Sequence, residues 1–220
     1  MSELVTGSIG DVFGNPHHLY EGDLWHYFRV INNAPNARNP YHNTRHVLHT
    51  MWLMYRACEY HAAELSKRRI RNTLVAGGLH DHGHPGHNRV PDAQNILIAQ
   101  AAVARYAAPE DKLEVPRIKK IVGASLFTKN GHLPAESLEE EIMQDCDTAQ
   151  AMNPAWYALI CDGLAVEFDI EREVMLERQL VFLEKLHFQC QWAKTTYPQS
   201  AIDMKRRETE TILKGLRAHS

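Results

Sequence analysis

"TLVAGGLHDHGHPGHN", residues 73 to 88, is the stretch that decides the fold. An apolar run closes on His80 and Asp81 and then gives way to a turn rich in glycine, proline and histidine. An imidazole and a carboxylate are thereby presented together at a buried helix end. Gly77 and Gly78 would let another backbone come close. Upstream, "NPYHNTRHVLHT" (39 to 50) places His42 and His46 four apart at the start of a helix, so both side chains leave one face, with His49 three residues further along it. Two readings are open for these clusters. A single histidine on an amphipathic helix is usually a hydrogen-bonded packing residue, and "HDHGHPGHN" alone reads as a polar loop. Imidazole and carboxylate groups together suit a borderline or hard divalent metal.

Outside these words the pattern is helical throughout. Apolar residues recur at three- and four-residue spacing, with hardly any two-residue alternation. The expected helices cover 19–31, 43–65, 67–80, 92–107, 114–126, 136–146, 154–166, 169–188 and 202–217. Breaks fall at "NNAPNARNP" (32–40), "HGHPGHNRVP" (82–91), "TKNGHLP" (128–134) and "TYPQS" (196–200). No repeat, low-complexity tract or long linker interrupts the 220 residues, and their length suits one core rather than two. The expectation is an all-α chain forming a single domain over residues 1–220, a compact helical bundle.

Composition excludes several function classes. With 24 Lys and Arg against 27 Asp and Glu, the net charge of −3 offers no basic surface for long nucleic acid or an anionic membrane. Cys58, Cys146, Cys161 and Cys190 have neither metal nor disulfide spacing and read as reduced core residues. "MSELVTGSIGDVFGN" lacks the basic start and apolar run of a signal peptide, and no segment approaches a membrane span. A cytoplasmic location is expected. Exposed apolar helix faces would allow a homodimer.

A further ligand for any metal would come from "EEEIMQDCDTAQAMNP" (139–154), where Asp145 and Asp147 follow an apolar helical segment. Burying both is costly without neighbouring cations. The alternative is a solvated acidic helix bearing Glu139 to Glu141.

The order His, His-Asp, Asp on helices resembles the HD superfamily of metal-dependent phosphohydrolases. Its local words are similar to the class I 3′,5′-cyclic nucleotide phosphodiesterases. That family's Y-H-N-x-x-H is matched by Tyr41, His42, Asn43 and His46, and its H-D-x-x-H-P-G by His80, Asp81, His84, Pro85 and Gly86. "CDTAQAMNP" resembles the family's A-D-x-x-N-P with an insertion, and "VEF" (166–168) its E-E-F. "RQLVFLEKLHFQCQWAKTTYP" (178–198) resembles the closing Q-x-x-F segment, so the likeness covers about residues 25 to 198.

The resemblance implies an HD/phosphodiesterase-type bundle and a binuclear site. His46, His80, Asp81 and Asp147 would hold a first ion (Zn2+, or Fe/Mn), and Asp81 would bridge to a second (Mg2+ or Mn2+). Asp147 is preferred to Asp145 because "DCDTA" resembles the superfamily's D-A-D, whose second aspartate is the ligand. A hydroxide shared by the ions would attack phosphorus. His42, matching the family's general acid, would protonate the departing ribose oxygen. His84 would hydrogen-bond metal-bound water, with Tyr41 and Asn43 beside it in the second layer. Gln179 and Phe182, (i, i+3) on one helix face, would read and stack on the base of a small nucleotide substrate. Plain core packing is the other reading of Phe182. His49 is assigned a structural role.

There are departures from the pattern. Asn88 stands two positions beyond Gly86 where the family's asparagine stands three, and Arg89 takes that place. Asp92 and Asn95 are both candidates for the family's acidic residue beside the second metal. In "ASLFTKNGH" Ser125 replaces a threonine, and the chain is shorter than typical catalytic domains of the family. Two alternatives follow: an HD-type nucleotidase or hydrolase of another phosphodiester, which keeps the four ligands, and a catalytically silent nucleotide-binding protein.

Overall fold

The computed structural model describes residues 3–128 and 130–218. Met1 and Ser2 of the N-terminal stretch, Lys129 of the 128–134 break, His219 and Ser220 lie outside the described residues. The organising element is α4 (Lys67–Leu79), buried on every face from Ile70 to Leu79. A helix buried on all sides belongs at the centre of a bundle. Ser66 caps its start by accepting from the Arg69 N–H. Most of the polar groups it buries are paired, the Asn72 amide oxygen being the exception. Arg71 donates to Asp111 at 2.7 Å, Asn72 to Glu114 at 2.6 Å, and the Thr73 hydroxyl to the Arg69 carbonyl. Its C-terminus therefore delivers His80 and Asp81 into the middle of the molecule.

Around it pack α1 (Glu3–Gly14), α2 (Trp25–Asn32), α3 (Thr44–Tyr60), α5 (Asp92–Tyr106), α6 (Val115–Ala124) and α7 (Leu138–Thr148), with α3 and α6 in the most extensive contact. Gly77 and Gly78 do allow a close approach, but by side chains rather than by a backbone. A Cβ at Gly77 would run into Met54 Sδ, and one at Gly78 would sit 3.2 Å from Met51 Sδ and from Ile31 Cδ1. The flexible thioethers of α3 fill the space the glycines leave.

Beyond α7 come a 3₁₀ turn (Ala149–Met152) and a helical run over 156–168. That run consists of α8 (Trp156–Ala158), a π segment (Leu159–Leu164) and α9 (Ala165–Phe168). Then follow α10 (Arg172–Lys185), α11 (Gln191–Thr196) and α12 (Gln199–Arg217). A smaller apolar cluster, Trp156, Ile160, Ala165, Met175, Leu176 and Leu213, ties this C-terminal group together. The main core lies under α3 and α4.

The chain is mostly helical as expected, with differences in several places, among them the unexpected helices α1 and α11. Two short strands appear, β1 (Phe127–Thr128) pairing antiparallel with β2 (Gly131–His132), and Gly131 has a positive φ. The expected helix 19–31 begins only at Trp25. Residues before it are held in a loop by the buried Asn15, whose amide donates to the carbonyls of Tyr20 and Gly22. The acidic segment 139–141 is not solvated along its length. Glu139 and Glu140 are buried, and Glu139 binds Arg69 of α4 and Arg117 of α6. All four cysteines are buried and free. Among the described residues no helix is long and apolar enough to cross a membrane.

Candidate metal centre

Four side chains from three helices converge at the end of α4. His46 sits in the first turn of α3, His80 and Asp81 follow α4, and Asp147 lies in the last turn of α7. Asn43 fixes the α3 end as its N-cap, accepting from the N–H groups of Arg45 and His46 at 2.9 and 3.1 Å. His46 Nε2 stands 3.1 Å from Asp81 Oδ2, 3.2 Å from Asp147 Oδ1 and 3.2 Å from His80 Nε2. His80 Nε2 is 3.1 Å from Asp81 Oδ2 and 3.4 Å from Asp147 Oδ1. Asp145 points elsewhere. Its carboxylate accepts from the N–H of Gln189 at 2.9 Å and of Cys190 at 2.7 Å, anchoring the start of α11.

This donor set fits a divalent cation. Ligands held about 2.0–2.2 Å from one ion stand about 3.0–3.5 Å from each other, the spacing found among His46, His80 and Asp81, with Asp147 within the same reach of both rings. Protons serve the cluster poorly. Burial disfavours charge on His46, but Asp147 and Asp81 outweigh it and raise the ring to about 9. Against the same burial penalty, these carboxylates raise His80 as well. Burial alone would raise Asp81 and Asp147; the adjacent rings instead hold both carboxyls low. Two imidazolium edges 3.2 Å apart repel, whereas one divalent ion balances the carboxylates and takes a lone pair from each ring. His80 is prepared for this because its Nδ1 contacts the Gly77 carbonyl at 2.8 Å, leaving Nε2 for the cluster.

Beside the cluster, the His42 ring packs 5.7 Å from that of His46, and its Nδ1 lies 2.6 Å from Glu167 Oε2. The other oxygen of Glu167 accepts from the backbone N–H of Tyr41 and His42. Glu167 stands in the word "VEF", which by itself carries no role for it. The signal was there in "VEF", but only the fold brings it back to His42. Tyr41 packs its ring 4.9 Å from His42 and 5.1 Å from His46. His84 stacks on His42 at 3.8 Å, and burial, then the neighbouring His42, lowers its pKa to about 4. The Gly86 N–H donates to its Nδ1, so the neutral ring carries its proton on Nε2.

These groups form one wall of a cleft of about 530 Å³. Gln179, Phe182 and Arg178 of α10 also line it, Arg178 being a residue outside the motif words. Gln179 is buried, and its Nε2 has no partner in the protein. Phe182 packs its ring 5.1 Å from Phe127. Asp92, Asn95, Asn88 and Ser125 also line the cleft, and of the first two only Asp92 is a carboxylate. His49 has its ring against Gln150 rather than in the cluster, and burial lowers its pKa. The structure thus brings His42, His46, His80, Asp81, His84, Asp147, Gln179 and Phe182 to one cavity and leaves Asn43 as a helix cap. No family model and no curated protein matches the chain.

Proposed function

We propose that the protein is a metal-dependent phosphohydrolase of the HD type that opens a 3′,5′-cyclic nucleotide to the 5′-monophosphate. The observation that carries this reading is the mixed cluster of His46, His80, Asp81 and Asp147 at the base of a nucleotide-sized cleft, with His42 tethered beside it by Glu167. The four cluster residues would hold a first divalent ion, and Asp81 would extend to a second. When bound, such ions polarise the phosphoryl oxygens and make water acidic enough to attack at neutral pH.

The remaining work falls to the chain. Water adds to phosphorus, the P–O3′ bond breaks, and the leaving oxygen needs a proton. His42 supplies it from Nε2, because Nδ1 is committed to the buried Glu167 carboxylate. His84 stacks on the donor ring and limits its rotation, while its Nε2–H remains able to donate toward a phosphoryl oxygen. Across the cleft, the Gln179 amide would pair with a purine edge and Phe182 would cover its face.

The test is a substrate panel run on protein of measured metal content: cyclic AMP, cyclic GMP and the corresponding mononucleotides. Metal-dependent opening of the cyclic esters supports the proposal. Phosphate release from mononucleotides alone would instead assign an HD-type phosphomonoesterase, and nucleotide binding without any turnover a silent binding protein.

A further inference from the structure

The loop before α3 is more than a connection, because two of its asparagines tie the proton donor to the turn that carries the metal ligands. Asn36 is buried to 3% exposure. Its amide nitrogen donates to the His42 carbonyl at 2.9 Å, and its amide oxygen accepts from the Gly83 N–H, also at 2.9 Å. One planar group thus joins the backbone at His42 to the backbone between Asp81 and His84. Asn39 makes a parallel tie, donating to the His84 carbonyl at 2.9 Å. The turn is shaped to receive both. Gly83 and Gly86 have φ of +83° and +72°, and a Cβ at Gly86 would stand 2.9 Å from Asn39 Nδ2. Only a side chain with both a donor and an acceptor can make the Asn36 bridge.

We infer that Asn36 is a positioning residue for His42, setting the distance and angle of that ring relative to the Asp81 turn through its paired hydrogen bonds to His42 and Gly83. This inference rests on the proposed phosphodiester hydrolysis, and its consequence is specific to proton donation. Misplacing a catalytic group by about 1 Å costs on the order of 10²-fold in rate. That loss falls on substrates whose leaving oxygen needs a proton. An aryl ester such as a nucleoside p-nitrophenyl phosphate releases a stable phenolate and does not depend on His42.

The experiment compares wild type with Asn36→Ala on a 3′,5′-cyclic nucleotide and on a nucleoside p-nitrophenyl phosphate, with metal content measured in parallel. Asn36→Asp, which keeps the acceptor for Gly83 and loses the donor to His42, decides the matter if the alanine variant is insoluble. The expected result is a kcat for the cyclic ester lowered about 10- to 100-fold. KM and metal content stay as in wild type, and aryl ester turnover stays within about threefold. Equal losses on both substrates, loss of metal, or no loss on the cyclic ester would overturn the assignment. A second readout needs no turnover. The low-field His42 Nδ1–H proton resonance, identified by its disappearance in Glu167→Gln, shifts in Asn36→Asp if the ring has moved and stays in place if Asn36 has no such role. If wild type hydrolyses neither ester the proposed function fails, while this resonance still decides the role of Asn36.

Discussion

Glu167 and His42 lie 125 residues apart in the chain, yet the carboxylate holds the His42 ring at 2.6 Å and the two backbone N–H groups that lead into it. One side chain thus fixes both the His42 ring and the backbone that carries it. Burial would raise the Glu167 pKa, but the bond to His42 lowers it, so the carboxylate is charged where the ring needs a counter-ion. Glu167→Gln should lower kcat for a cyclic nucleotide by on the order of 10²-fold with metal content unchanged. Steady-state kinetics beside elemental analysis checks this, and loss of metal in the variant contradicts it.

Asp145 and Asp147 are separated by one residue and do different work. Asp147→Ala should strip metal from the protein. Asp145→Asn should retain it and lower Tm by about 5 °C, because an amide cannot serve the paired N–H groups of Gln189 and Cys190 as a carboxylate does. Metal analysis and thermal melts of the two variants separate the roles. Metal loss in Asp145→Asn would reverse the assignment.

The ion-pair junction at Glu139 joins α4, α6 and α7 and should govern acid stability. Burial pushes its carboxyl up, but Arg69 and Arg117 overcome this and hold it at about 2, below the ordinary 4.5. A depressed carboxyl stabilises the fold above its unfolded value and loses that contribution as pH falls through the folded one. Urea unfolding should therefore show stability declining from about pH 4.5 toward 2, with Glu139→Gln about 1–3 kcal/mol weaker at neutral pH and flatter across that window. An unchanged acid slope in the variant would remove Glu139 from the account.

On the far wall of the cleft, Phe182→Ala should raise KM for a cyclic nucleotide about tenfold and leave metal content and folding intact. If it lowers stability by several kcal/mol with KM unchanged, the ring is core rather than a base platform.

How much of this was legible in the sequence differs from residue to residue. Helical spacing placed α4 and α5 almost to the residue, because long periodic segments between strong breakers leave few alternatives. The short α11 escaped because it is held by a remote partner, the Asp145 carboxylate at its start, and β1 and β2 escaped because two residues each are too few to show an alternation. His46, His80, Asp81 and Asp147 could be named from motif words. "DCDTA" also favoured Asp147 over Asp145, but the convergence of the four, and the separate partners of Asp145, depended on which way α7 faces. Asn36 sat in a stretch read only as a break, since nothing in local spacing reveals a bond to Gly83, 47 residues away. The pairing of Glu139 with Arg69 was hidden for the same reason.

The central claim is that the His46, His80, Asp81 and Asp147 cluster binds metal for phosphodiester hydrolysis. The most direct measurement is cyclic nucleotide turnover by chelator-treated protein titrated with Mn2+, for wild type and Asp81→Ala at matched folding. The account predicts that activity returns with metal in wild type and that Asp81→Ala neither retains metal nor recovers turnover. Metal-independent hydrolysis, or full activity in Asp81→Ala, would contradict it.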